Sequence, residues 1–178
     1  MTGDTWLFAY GSLLWDPGFR PAEAVQASLS GWRRSFCMWS IHWRGTPEAP
    51  GLVLALESES GGSCEGVALR LPPKERDAIL GAIRARELVS DAYEERQLPV
   101  LLADGREVEA LAYVIRKGHP QHARLDAPAQ ARIIAEARGE RGPNRDYLAQ
   151  TAARLRELGI HDGEVEALLL RVGALAPG

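Results

Sequence analysis

Residues 6–15 read Trp6-Leu7-Phe8-Ala9-Tyr10-Gly11-Ser12-Leu13-Leu14-Trp15. Large apolar side chains favour an extended strand, and the Gly-Ser pair permits a tight turn where that strand ends. A turn of this kind can point several backbone N–H groups at one place, and can hold a carboxylate or an oxyanion without a charged side chain. The alternative is an ordinary turn without a ligand, because a strand followed by Gly-Ser is common.

Length and charge narrow the class of protein. The chain has 178 residues, of which 46% are hydrophobic and 25% charged, and this predicts one globular domain over residues 1–178. The formal net charge is −3 without a dense basic block, so we expect neither nucleic acid nor a membrane as a partner. No apolar run reaches the roughly 18 residues of a membrane span. The N-terminus also lacks the pattern of a signal peptide, so we expect a cytoplasmic protein.

Cysteine and histidine positions give little support to metal or nucleophile chemistry. Cys37 and Cys64 form no CxxC pair, and we expect both to be small core residues, since a nucleophilic role would need a neighbouring base. His119 and His122 could chelate a metal, but a third ligand does not lie near them in the sequence. No GxSxG motif surrounds Ser12, which excludes a serine-hydrolase elbow there. We therefore expect neither a metal nor a cofactor.

Strand patterns dominate the first two-thirds of the chain and helical patterns the last third. Strands are predicted over residues 5–10, 32–38, 51–56 and, after a turn at Gly61-Gly62-Ser63, 67–71. Asp104-Gly105 predicts a hairpin between residues 95–102 and 107–115. Helices are predicted from Pro72 to about Arg86, from Asp126 to near Gly139, from an N-cap at Asn144 to Gly159, and from Asp162 to Gly173. This order predicts an α+β fold, a small mixed β-barrel or curled sheet with helices.

An acidic residue falls on the apolar face of the first predicted helix. With about 3.6 residues per turn, Glu87 lies between the directions of Leu80 and Ile83. Burial and the negative end of the helix dipole both disfavour a charged carboxylate, and would raise its pKa into the range of a useful proton carrier. The alternative is that the helix frays before Glu87, which leaves it in water or paired with Arg84 or Arg86.

Several short motifs follow one another in a fixed order along the chain. They are residues 8–15 (Phe8 to Trp15), 31–37 (Gly31 to Cys37), 44–47, 50–51 leading into 54–56, 66–72, Arg86-Glu87 followed by Tyr93, and 142–148 (Gly142 to Leu148). In this series the chain resembles the ChaC-like γ-glutamylcyclotransferases, with Ala9 where that family usually has glycine. Each motif is modest alone, but together they cover nearly the whole chain.

The resemblance implies a fold, a reaction and a set of site residues. The implied fold is the γ-glutamylcyclotransferase-like small mixed β-barrel with surrounding helices. The implied reaction converts glutathione to 5-oxoproline and cysteinylglycine, with Glu87 as the catalytic acid and base. The substrate-binding residues are then expected to be Ala9, Tyr10, Gly11, Ser12, Leu13, Leu14 and Tyr147. Arg33, Arg44 and Arg96 are candidates for holding the glycyl carboxylate of the substrate.

A buried carboxylate suits this reaction, because the substrate's own α-amine attacks its own γ-carbonyl and the enzyme need supply only a base. A free glutamate at about 4.3 and an α-amine at about 8 differ by roughly 3.7 pKa units, or about 5 kcal/mol. A raised glutamate pKa would therefore remove a large part of this mismatch. Two alternatives stay open: a cyclotransferase for other γ-glutamyl amines or amino acids, and a non-catalytic module that binds a γ-glutamyl ligand.

Overall fold

A computed structural model describes residues 3–175, in which five strands form a closed barrel. The strands are β1 Trp6–Ala9, β2 Glu23–Ser40, β3 Gly51–Arg70, β4 Tyr93–Leu102 and β5 Glu107–Ile115. Their order in the barrel is β1-β3-β2-β4-β5, with a further pairing of β3 with β5. β1 runs antiparallel to β3 and parallel to β5, so the barrel is mixed. Together with four helices this confirms the predicted α+β fold.

The chain divides by its contacts into two compact units. The first comprises Met1–Ser35 and Ala55–Arg116, and the second Phe36–Leu54 and Lys117–Gly178. Each is described by itself below. One domain over residues 1–178 stays a prediction.

The first unit has an apolar centre supplied by its strands, and β1 is buried along its whole length. Its fully buried side chains include Leu7, Phe8, Leu56, Val100 and Leu102. The hairpin of β4 and β5 turns at Asp104-Gly105 as predicted, with Gly105 at a φ of 92°. Only glycine adopts this conformation at no steric cost, so the short turn fixes the register of the two strands.

The predicted turn at Gly61-Gly62-Ser63 lies inside β3, and the chain reverses direction there. Leu56 pairs parallel with β5, whereas residues 67–70 pair antiparallel with β1, which itself runs parallel to β5. Gly61 takes a φ of 75°, which glycine adopts in a turn at little steric cost. The predicted turn is therefore confirmed.

Helix α1 spans Arg76–Glu87 and so starts later than predicted. The Pro72 carbonyl instead accepts a hydrogen bond from the Glu75 N–H at 3.1 Å, in a turn that precedes the helix. At the other end, the Leu88 N–H donates to the Arg84 carbonyl at 2.8 Å. The helix therefore includes Glu87 and does not fray before it.

The second unit contains α2 Ala127–Glu136, α3 Asn144–Glu157, α4 Gly163–Leu175 and two short strands, β6 Arg138–Gly139 and β7 Gly142–Pro143. Asp126 caps α2 as predicted, since its side chain accepts from the Ala129 N–H at 2.9 Å. The predicted end of α4 at Gly173 is wrong, because the helix continues to Leu175. A glycine lowers helix stability without necessarily ending the helix.

The predicted N-cap at Asn144 is wrong as well. Pro143 occupies that position, and Asn144 is the first helical residue. Its side chain is fully buried and pairs with the backbone of Leu52. An amide carries both a donor and an acceptor, so it can bond to the N–H and the C=O of one residue.

Two further predictions concern the chain as a whole. Cys37 and Cys64 are buried and form no disulfide, which fits the expected core role. Among the helices within residues 3–175, none has the length and apolar character needed to cross a membrane.

Candidate active site

The Gly11-Ser12 turn follows directly from β1. Ser12–Leu14 form one turn of 3₁₀ helix, in which the Leu14 N–H donates to the Gly11 carbonyl at 2.9 Å. The side chains of Leu13 and Leu14 are each only 6% exposed. They anchor the turn in the core, so these two residues can offer a ligand little besides their backbone.

The carbonyl and the hydroxyl of Tyr10 are both held by hydrogen bonds. Its carbonyl accepts a hydrogen bond from Arg34 Nε at 2.7 Å, and its hydroxyl donates to the Tyr113 carbonyl at 2.6 Å. Arg34 is buried and also donates to the Glu65 carbonyl. Because the Tyr10–Gly11 peptide is trans, the Gly11 N–H points away from Arg34. The first peptide of the turn is therefore held in one orientation.

Ala9 lies within the regular part of β1, where it pairs with Val67. Alanine needs no special conformation there, which accounts for its standing where glycine is more usual. The residue without room for a side chain is Gly66 on the partner strand β3. A Cβ at Gly66 would collide with the Ala9 carbonyl and lie 3.0 Å from the Phe8 ring.

Glu87 combines features of both sequence hypotheses. It is the last residue of α1, and its side chain is 14% exposed. At the same time its Oε1 lies 3.2 Å from Arg86 Nε. Burial disfavours the charged carboxylate and the guanidinium favours it, so the two effects oppose each other.

Arg86 brings the turn and the carboxylate together. Its two terminal nitrogens donate to the Ser12 hydroxyl and to the Asp16 carbonyl, each at 2.7 Å. Ser12 and Glu87 thus bind the same guanidinium, although 74 residues separate Ser12 from Arg86 in the sequence. The predicted binding turn and the predicted base are neighbours within the first unit.

A second polar group lies beside this pair and was missed from the sequence. The Tyr113 hydroxyl donates to Glu95 Oε2 at 2.9 Å, and Arg84 binds both oxygens of Glu95 at 2.8 and 2.9 Å. The Arg84 guanidinium holds the pKa of the Glu95 carboxyl below its usual value. Burial raises the pKa of the Tyr113 hydroxyl, with further contributions from Glu95 and from the charge of Glu87. Tyr113 therefore stays a neutral phenol.

The signal for this group was present only in part. Counting outward from a two-residue turn at Asp104-Gly105 places Glu95 opposite Val114. In the structure the loop has three residues, 103–105, and this shifts the register so that Glu95 lies opposite Tyr113. Directly opposed residues of an antiparallel pair lie close enough to hydrogen-bond.

Tyr147 lies on α3 in the second unit, where it is buried. Its hydroxyl accepts a hydrogen bond from the Leu54 N–H at 3.2 Å, and the Arg44 guanidinium lies 5.8 Å from the centre of its ring. These contacts give Tyr147 a structural role. Its role in binding substrate stays a prediction.

The three arginines proposed for the glycyl carboxylate have different surroundings. Arg33 pairs with Glu57 and Arg96 with Glu94, each at 2.9 Å. Arg44 is buried and donates to the Pro143 carbonyl, and burial lowers its pKa.

One of the two histidines considered as metal ligands has a local partner: His119 Nδ1 accepts a hydrogen bond from the Gln121 N–H at 3.0 Å.

Comparison with known families gives the lineage. The family model described as ChaC-like protein matches residues 5–175. The chain belongs to the ChaC-like family. This ChaC-like chain is 37% identical over 175 residues to the glutathione-specific gamma-glutamylcyclotransferase of Escherichia coli (strain K12), an alignment that covers 97% of this chain and 74% of that protein.

Two further relatives support the family and the fold. The Schizosaccharomyces pombe protein named glutathione-specific gamma-glutamylcyclotransferase is 34% identical over 188 residues, which is 93% of the ChaC-like chain and 92% of the relative. A crystal structure of a selenomethionine-labelled γ-glutamyl cyclotransferase specific to glutathione, from yeast, superposes with a TM-score of 0.89. The superposition covers 98% of both chains at 20% sequence identity, and at that identity it supports the fold alone.

Proposed function

We propose that this ChaC-like chain is a lyase that cleaves glutathione to 5-oxoproline and cysteinylglycine. The observation that carries the proposal is the joint contact of Arg86 with Ser12 and Glu87, because it places the predicted base beside the predicted binding turn. The nearly end-to-end similarity to relatives named for this activity supports it.

The reaction is an internal transfer that needs no water. Glu87 accepts a proton from the α-ammonium group of the substrate, and the freed amine attacks the γ-carbonyl carbon. A carbon–nitrogen bond forms, which closes a five-membered ring and places negative charge on the carbonyl oxygen. As the carbonyl re-forms and the original γ-amide bond breaks, Glu87 returns this proton to the departing cysteinyl nitrogen. The ring nitrogen loses a second proton to become the lactam N–H, and the released amine takes it up and leaves as an ammonium. One carboxylate thus serves as base and then as acid.

The turn at residues 9–14 is the proposed binding element for the γ-glutamyl group. Its backbone N–H groups would bind the α-carboxylate or the developing oxyanion, and Tyr147 would donate its hydroxyl to the substrate. Since the nucleophile belongs to the substrate and the base is a carboxylate, the proposal needs neither a metal nor a cofactor. A cytoplasmic location is part of the proposal, and Cys37 and Cys64, which form no disulfide, fit such a reducing compartment.

A substrate panel tests the proposed specificity. The purified chain is incubated separately with glutathione, γ-glutamyl-alanine and γ-glutamyl-ε-lysine, and kcat/KM is measured from 5-oxoproline release. Glutathione is expected to be the preferred substrate by a wide margin. Faster release from either of the other compounds would assign the chain to another γ-glutamyl leaving group. No release from any of the three, together with binding of glutathione, would indicate a non-catalytic binding module.

A further inference from the structure

The contact between Arg86 and Glu87 joins two consecutive helical residues. Side chains at positions i and i+1 of a helix point about 100° apart and do not normally face each other. Here both lie at the end of α1, where the Arg86 guanidinium turns back to Glu87 at 3.2 Å. The Arg86 side chain is only 16% exposed, so its position is set by the protein around it.

The remaining nitrogens of Arg86 are occupied by the binding turn. One terminal nitrogen donates to the Ser12 hydroxyl, and the other donates to the Asp16 carbonyl. This second nitrogen also lies 3.7 Å from the Asp16 carboxylate. A guanidinium is planar and presents its donors in a fixed fork, so binding the turn on one side determines where Nε meets Glu87 on the other.

We propose that Arg86 is a positioning residue that holds the Glu87 carboxylate in its ionised form at a fixed place relative to the turn at Ser12–Leu14. The inference rests on the proposed function and deepens it. It assigns to Arg86 the task of keeping the base and the substrate-binding turn in register, acting through Glu87 and Ser12 and not through the substrate.

Several charged and titratable groups surround the Glu87 carboxylate on the elements of the first unit. Arg86 on α1 contacts the carboxylate directly, and Tyr113 on β5 lies within its electrostatic influence. Asp16 lies beside Arg86, and the pair of Glu95 and Arg84 lies beside Tyr113. Arg84 is engaged by Glu95, which leaves Arg86 as the cation paired with Glu87 among these groups. Removing its charge should make the Glu87 carboxylate harder to keep ionised.

The effect is visible in the pH dependence of kcat/KM for glutathione. The acid limb of that profile reports the ionisation of the free enzyme's base, and the basic limb includes the substrate ammonium. In Arg86→Gln the acid limb is expected to move to higher pH by roughly one unit. Loss of the fork should also lower kcat by about 10- to 100-fold, since a small misplacement of a base is costly.

Two companion variants separate charge from geometry. Arg86→Lys keeps the charge but lacks the fork, so its acid limb is expected to stay in place while kcat falls. Arg76→Gln is the matched control, because Arg76 forms the same kind of pair with the next residue, Asp77, at 2.9 Å, at the opposite end of the same helix. This control is expected to leave both kcat and the pH profile unchanged.

The outcomes distinguish the inference from the function on which it rests. A wild-type protein that does not cleave glutathione overturns the proposed function and the inference with it. An active wild type with an Arg86→Gln variant of unchanged kcat and unshifted acid limb overturns the inference alone. If Arg86→Gln does not fold, Arg86→Lys decides: wild-type kcat contradicts the inference, and a reduced kcat with an unshifted acid limb supports it.

Discussion

At the scale of single residues, Glu87 has a cationic partner where local structure disfavours a charged carboxylate. It lies at the C-terminal end of α1, where the helix dipole repels a negative group, and its side chain is largely buried. The adjacent Arg86 pairs with it directly, and a cation at this distance opposes both effects.

A prediction at the same scale concerns Tyr147. A hydroxyl can accept one hydrogen bond and donate another, and the Tyr147 hydroxyl accepts from the Leu54 N–H. If it donates to the substrate carboxylate, Tyr147→Phe should raise KM for glutathione about tenfold, the value of one hydrogen bond to a charged group.

Steady-state kinetics and urea unfolding of the Tyr147→Phe variant separate the two roles. If Tyr147 has only a structural role, the Tyr147→Phe variant should have a free energy of unfolding about 1 kcal/mol lower than wild type and an unchanged KM. That result would remove Tyr147 from the proposed substrate-binding residues.

At the scale of elements, the sequence predicted what local patterns specify and missed what depends on distant partners. The hairpin at Asp104-Gly105 and the cap at Asp126 were correct, because turn and cap chemistry involves only neighbouring residues. Asn144 was misread, because an amide's choice of partner is decided by tertiary contacts.

The site divides in the same way. Glu87 could be singled out from its position on a helix face and from the family resemblance. The hydrogen bond from Arg86 to Ser12 could not be predicted, since it joins distant parts of the chain. The pair of Glu95 with Tyr113 is an intermediate case, because it follows from the hairpin register once the length of the loop is known.

Asn144 provides a stability prediction for the contact between α3 and β3. Its amide accepts from the Leu52 N–H at 2.7 Å and donates to the Leu52 carbonyl at 2.8 Å. Asn144→Ala leaves both buried groups without this partner, and should lower the free energy of unfolding by about 2–4 kcal/mol. Thr151→Ala is the control, since Thr151 is equally buried but bonds only to a carbonyl of its own helix among the contacts described. Equal losses in urea unfolding of the two variants would contradict this account.

Glu95 provides a pH-dependence prediction for the contact of α1 with the hairpin. Its folded pKa lies below the unfolded value of about 4.3, so its contribution to stability is present above that pH and is lost as pH falls through the folded value. Because Arg84 is partly exposed, Glu95→Gln should cost only about 0.5–1 kcal/mol at neutral pH.

Urea unfolding between pH 3 and pH 7 measures this effect. The difference between wild type and Glu95→Gln should shrink as the medium becomes more acidic. Glu107→Gln, an exposed substitution on β5, should show no such difference. A Glu95→Gln difference that stays constant or grows towards acid pH would show that the ion pair is not its source.

At the scale of the whole molecule, the barrel topology brings the two halves of the proposed site together in the first unit. The turn at Ser12–Leu14 follows β1, and α1, which ends at the Glu87 carboxylate, follows β3, the strand that pairs with β1. The ChaC-like family match extends from residue 5 to residue 175. The assembled chain is therefore expected to carry out the complete conversion with its own residues.

The most direct test of the central claim measures the products of glutathione turnover by wild type, Glu87→Gln and Glu157→Gln. Glu157 is the matched control, because it too ends a helix and pairs with a nearby arginine, Arg154. We predict 5-oxoproline and cysteinylglycine in equal amounts without free glutamate, from wild type and Glu157→Gln alike. Turnover by Glu87→Gln should fall by about 10²- to 10⁴-fold. Undiminished turnover by Glu87→Gln, or glutamate in place of 5-oxoproline, would contradict the account.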